Sequence, residues 1–149
     1  MTMKSIIKSA LGDIDNEVEE KKKDDTTKNV FIICPVRGAT EEEHNLLMEF
    51  IRKKETEGIK VHYPPRDTNQ DDPVGYAICA QNREAIKNAD KIYVYWNSKS
   101  EGSLFDLGMA FAMNKPIELI NPSEVRSMVT EGKKSFQNVL VHLDSSNKQ

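Results

Sequence analysis

The fold prediction starts from residues 91–110, which read KIYVYWNSKSEGSLFDLGMA. The apolar run at 91–96 predicts a buried strand. A loop rich in hydroxyl groups follows at 97–103, and apolar residues then recur at helical spacing over about 102–113. A strand, a loop and a helix in this order are typical of one unit of an α/β protein.

The same alternation continues in both directions along the chain. Further strands are predicted at 30–34, 59–63, 116–120 and 139–143, and further helices from a capping box at Thr40 and Glu43 to Gly58, at 73–88 and at 123–130. Strands joined by helical crossovers pair in parallel, with helices on both faces. The sequence therefore predicts a three-layer α/β sandwich with a roughly five-stranded parallel sheet, flavodoxin-like or Rossmann-like. The helix residues expected to face the core include Leu46, Leu47, Phe50 and Ile51 in the first helix, and Leu104, Leu107, Gly108 and Phe111 in the helix at 102–113.

Composition places the chain among single-domain globular proteins. Of its 149 residues, 38% are hydrophobic and 30% are charged, and no apolar run approaches the roughly 20 residues of a membrane span. A net charge of −3 without a basic stripe argues against nucleic-acid binding. Because no apolar signal region opens the sequence, we expect a cytoplasmic protein.

Residues 1–28 differ in pattern from the rest. Met3, Ile7, Leu11, Ile14 and Val18 recur at helical spacing, and a charged run follows. We interpret 1–28 as an amphipathic helix with a charged linker, and 29–149 as the α/β domain. The segment is either a solvated helix end or a dimerisation arm, because an apolar stripe on a terminal helix needs something to cover it.

Three loops follow predicted strands, at 35–39, 64–67 and 97–103. In open parallel sheets ligands bind at this edge. In the first loop Arg37 supplies a guanidinium, and Gly38 lets the backbone approach a ligand closely. The pair indicates an anion contact, or else an ordinary exposed turn.

The third loop leads directly into the predicted helix at 102–113. Ser100, Gly102 and Ser103 offer hydroxyls and backbone N–H groups at a helix N-terminus, which is a natural anion site. The alternative is simple capping, because Ser103 and Asp106 have the spacing of a capping box.

Other candidate residues are fewer. Asn82 lies on the apolar stripe of the helix at 73–88, where its amide either bonds neighbouring backbone or points into the cleft. Cys34 is interpreted as a buried structural thiol, with a nucleophile as the weaker alternative. Cys34 and Cys79 offer neither a disulfide framework nor metal-ligand spacing, and three scattered histidines assemble no metal cluster or catalytic triad.

Four segments together resemble a known family. Residues 31–39 (FIICPVRGA), 88–94 (NADKIYV), 100–110 (SEGSLFDLGMA) and 114–116 (NKP) are similar to motifs of the nucleoside 2-deoxyribosyltransferase superfamily, especially its 2′-deoxynucleoside 5′-monophosphate N-glycosidase branch. The resemblance covers about 29–143. It implies a small α/β protein, commonly a homodimer, that cleaves or exchanges the N-glycosidic bond of a nucleoside or nucleotide without cofactor or metal.

The resemblance also assigns roles to individual residues. Arg37 and Gly38 would line the nucleotide cleft, and Ser100, with the backbone at Gly102 and Ser103, would hold the 5′-phosphate. The two catalytic positions are Asp106, where the family has a nucleophilic glutamate, and Asn82, where the N-glycosidase branch has an aspartate.

Both catalytic positions depart from the family pattern. Aspartate for glutamate shortens the reach by one methylene, and an amide at Asn82 cannot donate a proton as an acid, so only Asp67 or Glu101 remains as a second acid. The lead hypothesis is an N-glycosidic hydrolase or transferase acting on a (deoxy)nucleotide or a similar ligand, with Asp106 as nucleophile or oxocarbenium stabiliser. The alternatives are a non-catalytic nucleotide-binding protein of the same fold and an NAD-type glycohydrolase.

Overall fold

A computed structural model describes residues 26–147. Its four strands form one parallel sheet in the order β2-β1-β3-β4. The strands are β1 (Asn29–Ile33), β2 (Lys60–His62), β3 (Lys91–Val94) and β4 (Ile117–Leu119), and the helices are α1 (Glu41–Thr56), α2 (Pro64–Asp67), α3 (Tyr76–Asn88), α4 (Glu101–Ala112), α5 (Pro122–Ser127) and α6 (Phe136–Asn147). The predicted α/β class and parallel sheet are confirmed.

Side chains of the two central strands alternate between two apolar cores. Phe31 and Ile33 point into the core on one face of the sheet, whereas Val30 and Ile32 point into the core on the other face. Because both faces of the sheet are covered, the sequences of these two strands are continuous apolar runs without alternating polar residues. In register, Phe31 lies between His62 on β2 and Ile92 on β3.

The strand order creates the place where a ligand can bind. From β1 the chain crosses to β2 on one side, and later to β3 on the other side. The loops that leave β1 and β3 therefore diverge, and in parallel sheets such a switch point opens a crevice at the carboxyl ends of the strands.

The predicted fifth strand at 139–143 is wrong, because this segment lies inside helix α6. The apolar run VLVHL at 139–143 has only five residues, a length that fits a strand or part of a helix equally well. Ser135 accepts a hydrogen bond from the backbone N–H of Asn138 at 3.2 Å, and fully buried Leu140 belongs to the core. On the same helix, Asp144 accepts the N–H of Leu119 at 2.9 Å, which fixes α6 against β4.

Helix α4 buries a different face from the one that the apolar spacing predicts. Leu107 is buried as expected, but Leu104, Gly108 and Phe111 are exposed, Phe111 by 58%. The buried face instead includes two polar residues, Ser103 and Asp106. This face borders the crevice, so its pattern reflects the site as well as the core.

Two smaller differences concern α1 and α3. The capping box of α1 at Thr40 and Glu43 is present, but Leu46 is exposed. Helix α3 begins at Tyr76, three residues later than the predicted start at 73. The Asp72 carboxylate accepts the first N–H groups of this helix, including that of Ala77 at 2.7 Å.

The amphipathic helix predicted within 1–28 lies outside the described residues. Only residues 26–28 of this segment, after its charged run, are described. Among residues 26–147, no helix is both long and apolar enough to span a bilayer.

Candidate active site

A cavity of about 500 Å³ opens at the switch point of the sheet. It is lined by residues from the β1–α1 loop, the segment after β2, the first turns of α3, and the β3–α4 loop with the start of α4. The lining residues are Cys34, Val36, Arg37, Pro64, Gln70, Ile78, Cys79, Asn82, Lys99, Ser100, Glu101, Gly102, Phe105 and Asp106. Five of the seven predicted site residues are therefore in one cavity.

Asp106 is an acid that lines the cavity and whose pKa is shifted from its usual value. It lies on α4, one residue before buried Leu107, and is 9% exposed. Burial raises the pKa of Asp106 from 3.8 to about 6, and a hydrogen bond from Asn82 acts in the opposite direction. At neutral pH the carboxylate is ionised although its surroundings solvate the charge poorly.

The amide of Asn82 connects Asp106 to the protein interior. Its Nδ2 donates to Oδ2 of Asp106 at 3.3 Å, and its Oδ1 accepts from the hydroxyl of Thr68 at 2.7 Å. The oxygen of Thr68 lies 2.8 Å from Nε2 of His62. The sequence left open whether Asn82 bonds backbone or faces the cleft; it lines the cavity and bonds two side chains.

Ser100 caps helix α4. Its Oγ accepts the backbone N–H of Ser103 at 3.1 Å, so the alternative interpretation, a capping box that begins at Ser103, is wrong. Ser103 lies outside the cavity lining, and its buried hydroxyl has no hydrogen-bond partner among residues 26–147. The first N–H groups of a helix lack intrahelical acceptors, so those of Glu101 and Gly102 remain suited to an anion.

Two cations, Arg37 and Lys99, line the cavity from opposite loops. Gly38 does not line it; it turns the chain after Arg37 with a φ of +72°, a conformation that favours glycine. The prediction that Gly38 lines the ligand cleft is therefore not supported by the residues that line this cavity.

Asp67 and Glu101, the two candidate second acids, differ in placement. Asp67 accepts the N–H of Tyr63 at 2.8 Å and two hydrogen bonds from Arg66, each at 2.9 Å. These bonds hold the pKa of Asp67 below its usual value although burial opposes them, so this carboxylate is engaged in structure. Glu101 lines the cavity.

The thiol of Cys34 is also part of the lining. Burial, together with the charge of Asp106, raises the pKa of Cys34 to about 12. A thiol with this pKa is protonated at neutral pH and is a poor nucleophile. Within residues 26–147, no three histidine, cysteine or acidic side chains are grouped so that they could hold a metal ion.

Comparison with known proteins places the chain in a family. The family model for nucleoside 2-deoxyribosyltransferases matches residues 30–140. The chain belongs to this family. The match confirms the resemblance inferred from the four motifs, and with it the expectation of an enzyme family that acts on nucleoside N-glycosidic bonds.

Two solved structures are similar. The 2-deoxyribosyltransferase of Bacillus psychrosaccharolyticus is 19% identical, with a TM-score of 0.52 over 61% of this chain and 70% of the other. At this identity the likeness concerns the fold. The CMP N-glycosidase BcmB of Clostridium botulinum is 27% identical, with a TM-score of 0.47 over 62% of this chain and 70% of the other. A search of curated protein sequences finds no match.

Sequence reasoning missed part of this family member's site. Gln70, Ile78, Cys79, Lys99 and Phe105 line the cavity but were not predicted. Lys99 was within a loop already expected at the site, so its charge was an available signal. Ile78 and Phe105 are apolar, and an apolar residue in a helix carries no signal of a binding site in the sequence.

Proposed function

We propose that this chain cleaves or exchanges the N-glycosidic bond of a (deoxy)nucleotide or a closely similar ligand. In this proposal Asp106 attacks C1′ of the sugar, or stabilises the positive charge that develops there as the base departs. The observation that carries the proposal is a buried, poorly solvated carboxylate at the wall of a nucleotide-sized cavity.

The environment of Asp106 suits this reaction. Its raised pKa, about 6, reports that the ionised form is held at a free-energy cost in the resting protein. A positive charge at C1′ appears only as the bond breaks, so its attraction to the carboxylate stabilises the transition state more than the ground state. A low-dielectric cavity strengthens that attraction.

A second group of lining residues suits a phosphate group on the substrate. Arg37 and Lys99 supply positive charge, and the N-terminus of α4 with the Ser100 cap supplies N–H groups and the helix dipole. We assign the 5′-phosphate to this helix N-terminus, because Asp106 follows about 9 Å further along the same helix and would then face the glycosidic bond.

A second function, nucleotide binding without cleavage, is favoured by one observation. Of the acids that line the cavity, only Glu101 accompanies Asp106, and Asn82 occupies the position next to Asp106 with an amide. Glycosidic hydrolysis usually employs two carboxyl groups. A protein that has kept the cavity but reduced its acids would bind nucleotides and release them intact.

We also propose that the protein is a homodimer, as the family resemblance implied. Helix α4 exposes Leu104, Phe105 and Phe111, and near the start of α3 the chain exposes Val74 and Tyr76. Exposed apolar groups of this size on neighbouring elements are typical of a surface covered by another protein chain.

The deciding experiment is chromatography after incubation with ribo- and deoxyribonucleotides, nucleosides and NAD. Asp106→Ala tests the role of the buried carboxylate, and Asp71→Asn removes an exposed carboxylate outside the cavity as a matched control. The proposal expects free base from at least one substrate with wild type and with Asp71→Asn, and none with Asp106→Ala. Intact substrates together with tight binding would favour the binding function, and base released from NAD alone would indicate a glycohydrolase.

A further inference from the structure

Four side chains form a continuous hydrogen-bonded chain that ends at Asp106. It runs from Nε2 of His62 to Oγ1 of Thr68 over 2.8 Å, from Thr68 to Oδ1 of Asn82 over 2.7 Å, and from Nδ2 of Asn82 to Asp106 over 3.3 Å. His62 and Thr68 do not line the cavity. They therefore act on a substrate only through Asn82.

The ionised state of Asp106 fixes the direction of every bond in this chain. A carboxylate only accepts, so the amide nitrogen of Asn82 must face it and the amide oxygen must face Thr68. The hydroxyl of Thr68 has a single hydrogen, which it donates to that oxygen. Its own oxygen must then accept from His62, which requires the hydrogen of a neutral imidazole to be on Nε2.

The outer members of the chain are themselves held in place. The ring of His62 stacks on Phe31 of the central strand, with centroids 5.3 Å apart and an interplanar angle of 11°. The backbone N–H of Thr68 donates to the carbonyl of Pro64 at 3.1 Å, and Thr68 is only 3% exposed. The chain thus links the carboxylate in the cavity to the sheet.

The orientation of the Asn82 amide is the property that these contacts control. If the amide were flipped, its carbonyl oxygen would face the Asp106 carboxylate, and two acceptors would repel each other. The hydroxyl of Thr68 opposes the flip because it donates to Oδ1. Asn82 is 5% exposed, so solvent offers its amide little competition.

We propose that Thr68 and His62 are positioning residues for the reaction: they hold the Asn82 amide with its N–H toward Asp106, and so keep that carboxylate oriented toward the sugar. This inference rests on the proposed function of Asp106. It adds two residues, from β2 and from the segment after α2, that do not touch the substrate.

Other charged groups face the two ends of the chain. Arg37, Lys99 and Glu101 share the cavity with Asp106, as does the thiol of Cys34. Lys60, Arg66 and Asp67 act on the pKa of His62, which burial lowers from its usual value. The test must therefore change hydrogen bonding without changing charge.

The test compares Thr68→Val with Thr68→Ser. Valine keeps the shape of threonine but removes the hydroxyl, whereas serine keeps the hydroxyl. For Thr68→Val we expect the pKa of Asp106, followed by carbon NMR of its carboxyl group, to rise by about one unit. We also expect kcat for base release to fall about tenfold while KM changes less than about twofold. Thr68→Ser should restore both values.

A second measurement needs no variant. Nitrogen NMR of wild-type His62 at pH 8, where burial keeps the imidazole neutral, should find its hydrogen on Nε2. A hydrogen on Nδ1 would overturn the proposal, as would an unchanged Asp106 pKa and kcat in Thr68→Val, or equal losses in Thr68→Ser. If Thr68→Val does not fold, the His62 tautomer and Thr68→Ser still decide.

The two NMR measurements do not depend on catalysis. If wild type releases no base from any substrate, the proposed function fails, while the Asp106 pKa and the His62 tautomer still report whether the hydrogen-bonded chain exists. If base is released but neither NMR result appears, the proposed function stands and the positioning role of Thr68 and His62 fails.

Discussion

Replacing Asp106 by asparagine should stabilise the folded protein. Burial moves the pKa of this carboxyl from 3.8 to about 6, a shift of about two units, and each unit corresponds to about 1.36 kcal/mol. The ionised carboxylate therefore costs the fold about 3 kcal/mol at neutral pH. Asparagine keeps the shape, removes the charge and can still accept the hydrogen bond from Asn82.

The pH dependence follows from the sign of the shift. At about pH 3 and below, the carboxyl is mostly protonated in both the folded and the unfolded chain, so the substitution should have little effect there. At pH 4 the unfolded carboxyl, with its pKa of 3.8, is already about half ionised. Between about pH 3 and 6 the unfolded chain loses the proton first, and the penalty on the folded state grows. Above pH 6 it is complete. The gain from Asp106→Asn should therefore appear over this window and stay constant at higher pH.

Urea unfolding at pH 4, 5, 6 and 7.5 measures this gain as a change in the free energy of unfolding. The matched control is Asp144→Asn, because this second buried aspartate accepts the N–H of Leu119 at 2.9 Å and lies 3.8 Å from Arg126. Its charge is compensated, so the same substitution there should destabilise the fold, by about 1–3 kcal/mol. Equal stability of wild type and Asp106→Asn at pH 7.5 would refute the view that Asp106 is held ionised at a cost.

Four further predictions test separate parts of the structure. The kcat/KM for base release should fall about tenfold per pH unit below about pH 6, because in the proposed reaction Asp106 must be ionised in the free enzyme; a profile that is flat down to pH 4 would contradict this. Arg37→Ala should raise KM for a nucleoside 5′-monophosphate far more than for the nucleoside, in steady-state assays of both. Asp72→Ala should lower the urea midpoint of unfolding, because the N–H groups of Ala77 and Ile78 at the start of α3 lose their side-chain acceptor. Phe111→Glu should convert the proposed dimer to a monomer in light scattering, without loss of Tm.

The sequence predicted the sheet well because its central strands are buried on both faces. Residues 30–34 and 92–96 are continuous runs of apolar and aromatic residues, as is typical of an interior parallel strand. The segment at 139–143 is also mostly apolar, yet it is helical. Whether such a short run forms a strand or a helix depends on the residues that it packs against. Here these are β4 and the cap at Ser135. The contact with β4 joins distant parts of the chain, so the local sequence pattern does not predict it.

The site was predictable to the extent that topology determines it. Loops after β1 and β3 must meet at one edge of a parallel sheet, so Arg37 and Ser100 could be placed together before any geometry was known. Asp106, which lies within a helix, was assigned to the same site by the family resemblance. The individual hydrogen bonds of the site could not be predicted from the sequence. Ser100 rather than Ser103 caps α4, and Asp67 is bound by Arg66, because each donor takes the acceptor that the folded chain brings nearest.

The pairing of Asn82 with Asp106 has a consequence for the leaving base. Two carboxylates about 3 Å apart cannot both ionise at neutral pH, so a second aspartate in place of Asn82 would keep one proton between them. That shared proton could be passed to a departing base. With an amide at Asn82, Asp106 is ionised at neutral pH and no proton is shared between the two side chains. Under the proposed function, the base would then leave without protonation, or take a proton from Glu101 or from water. A site of this kind should favour substrates whose bases are good leaving groups, such as cationic or electron-poor heterocycles, over those that require an acid.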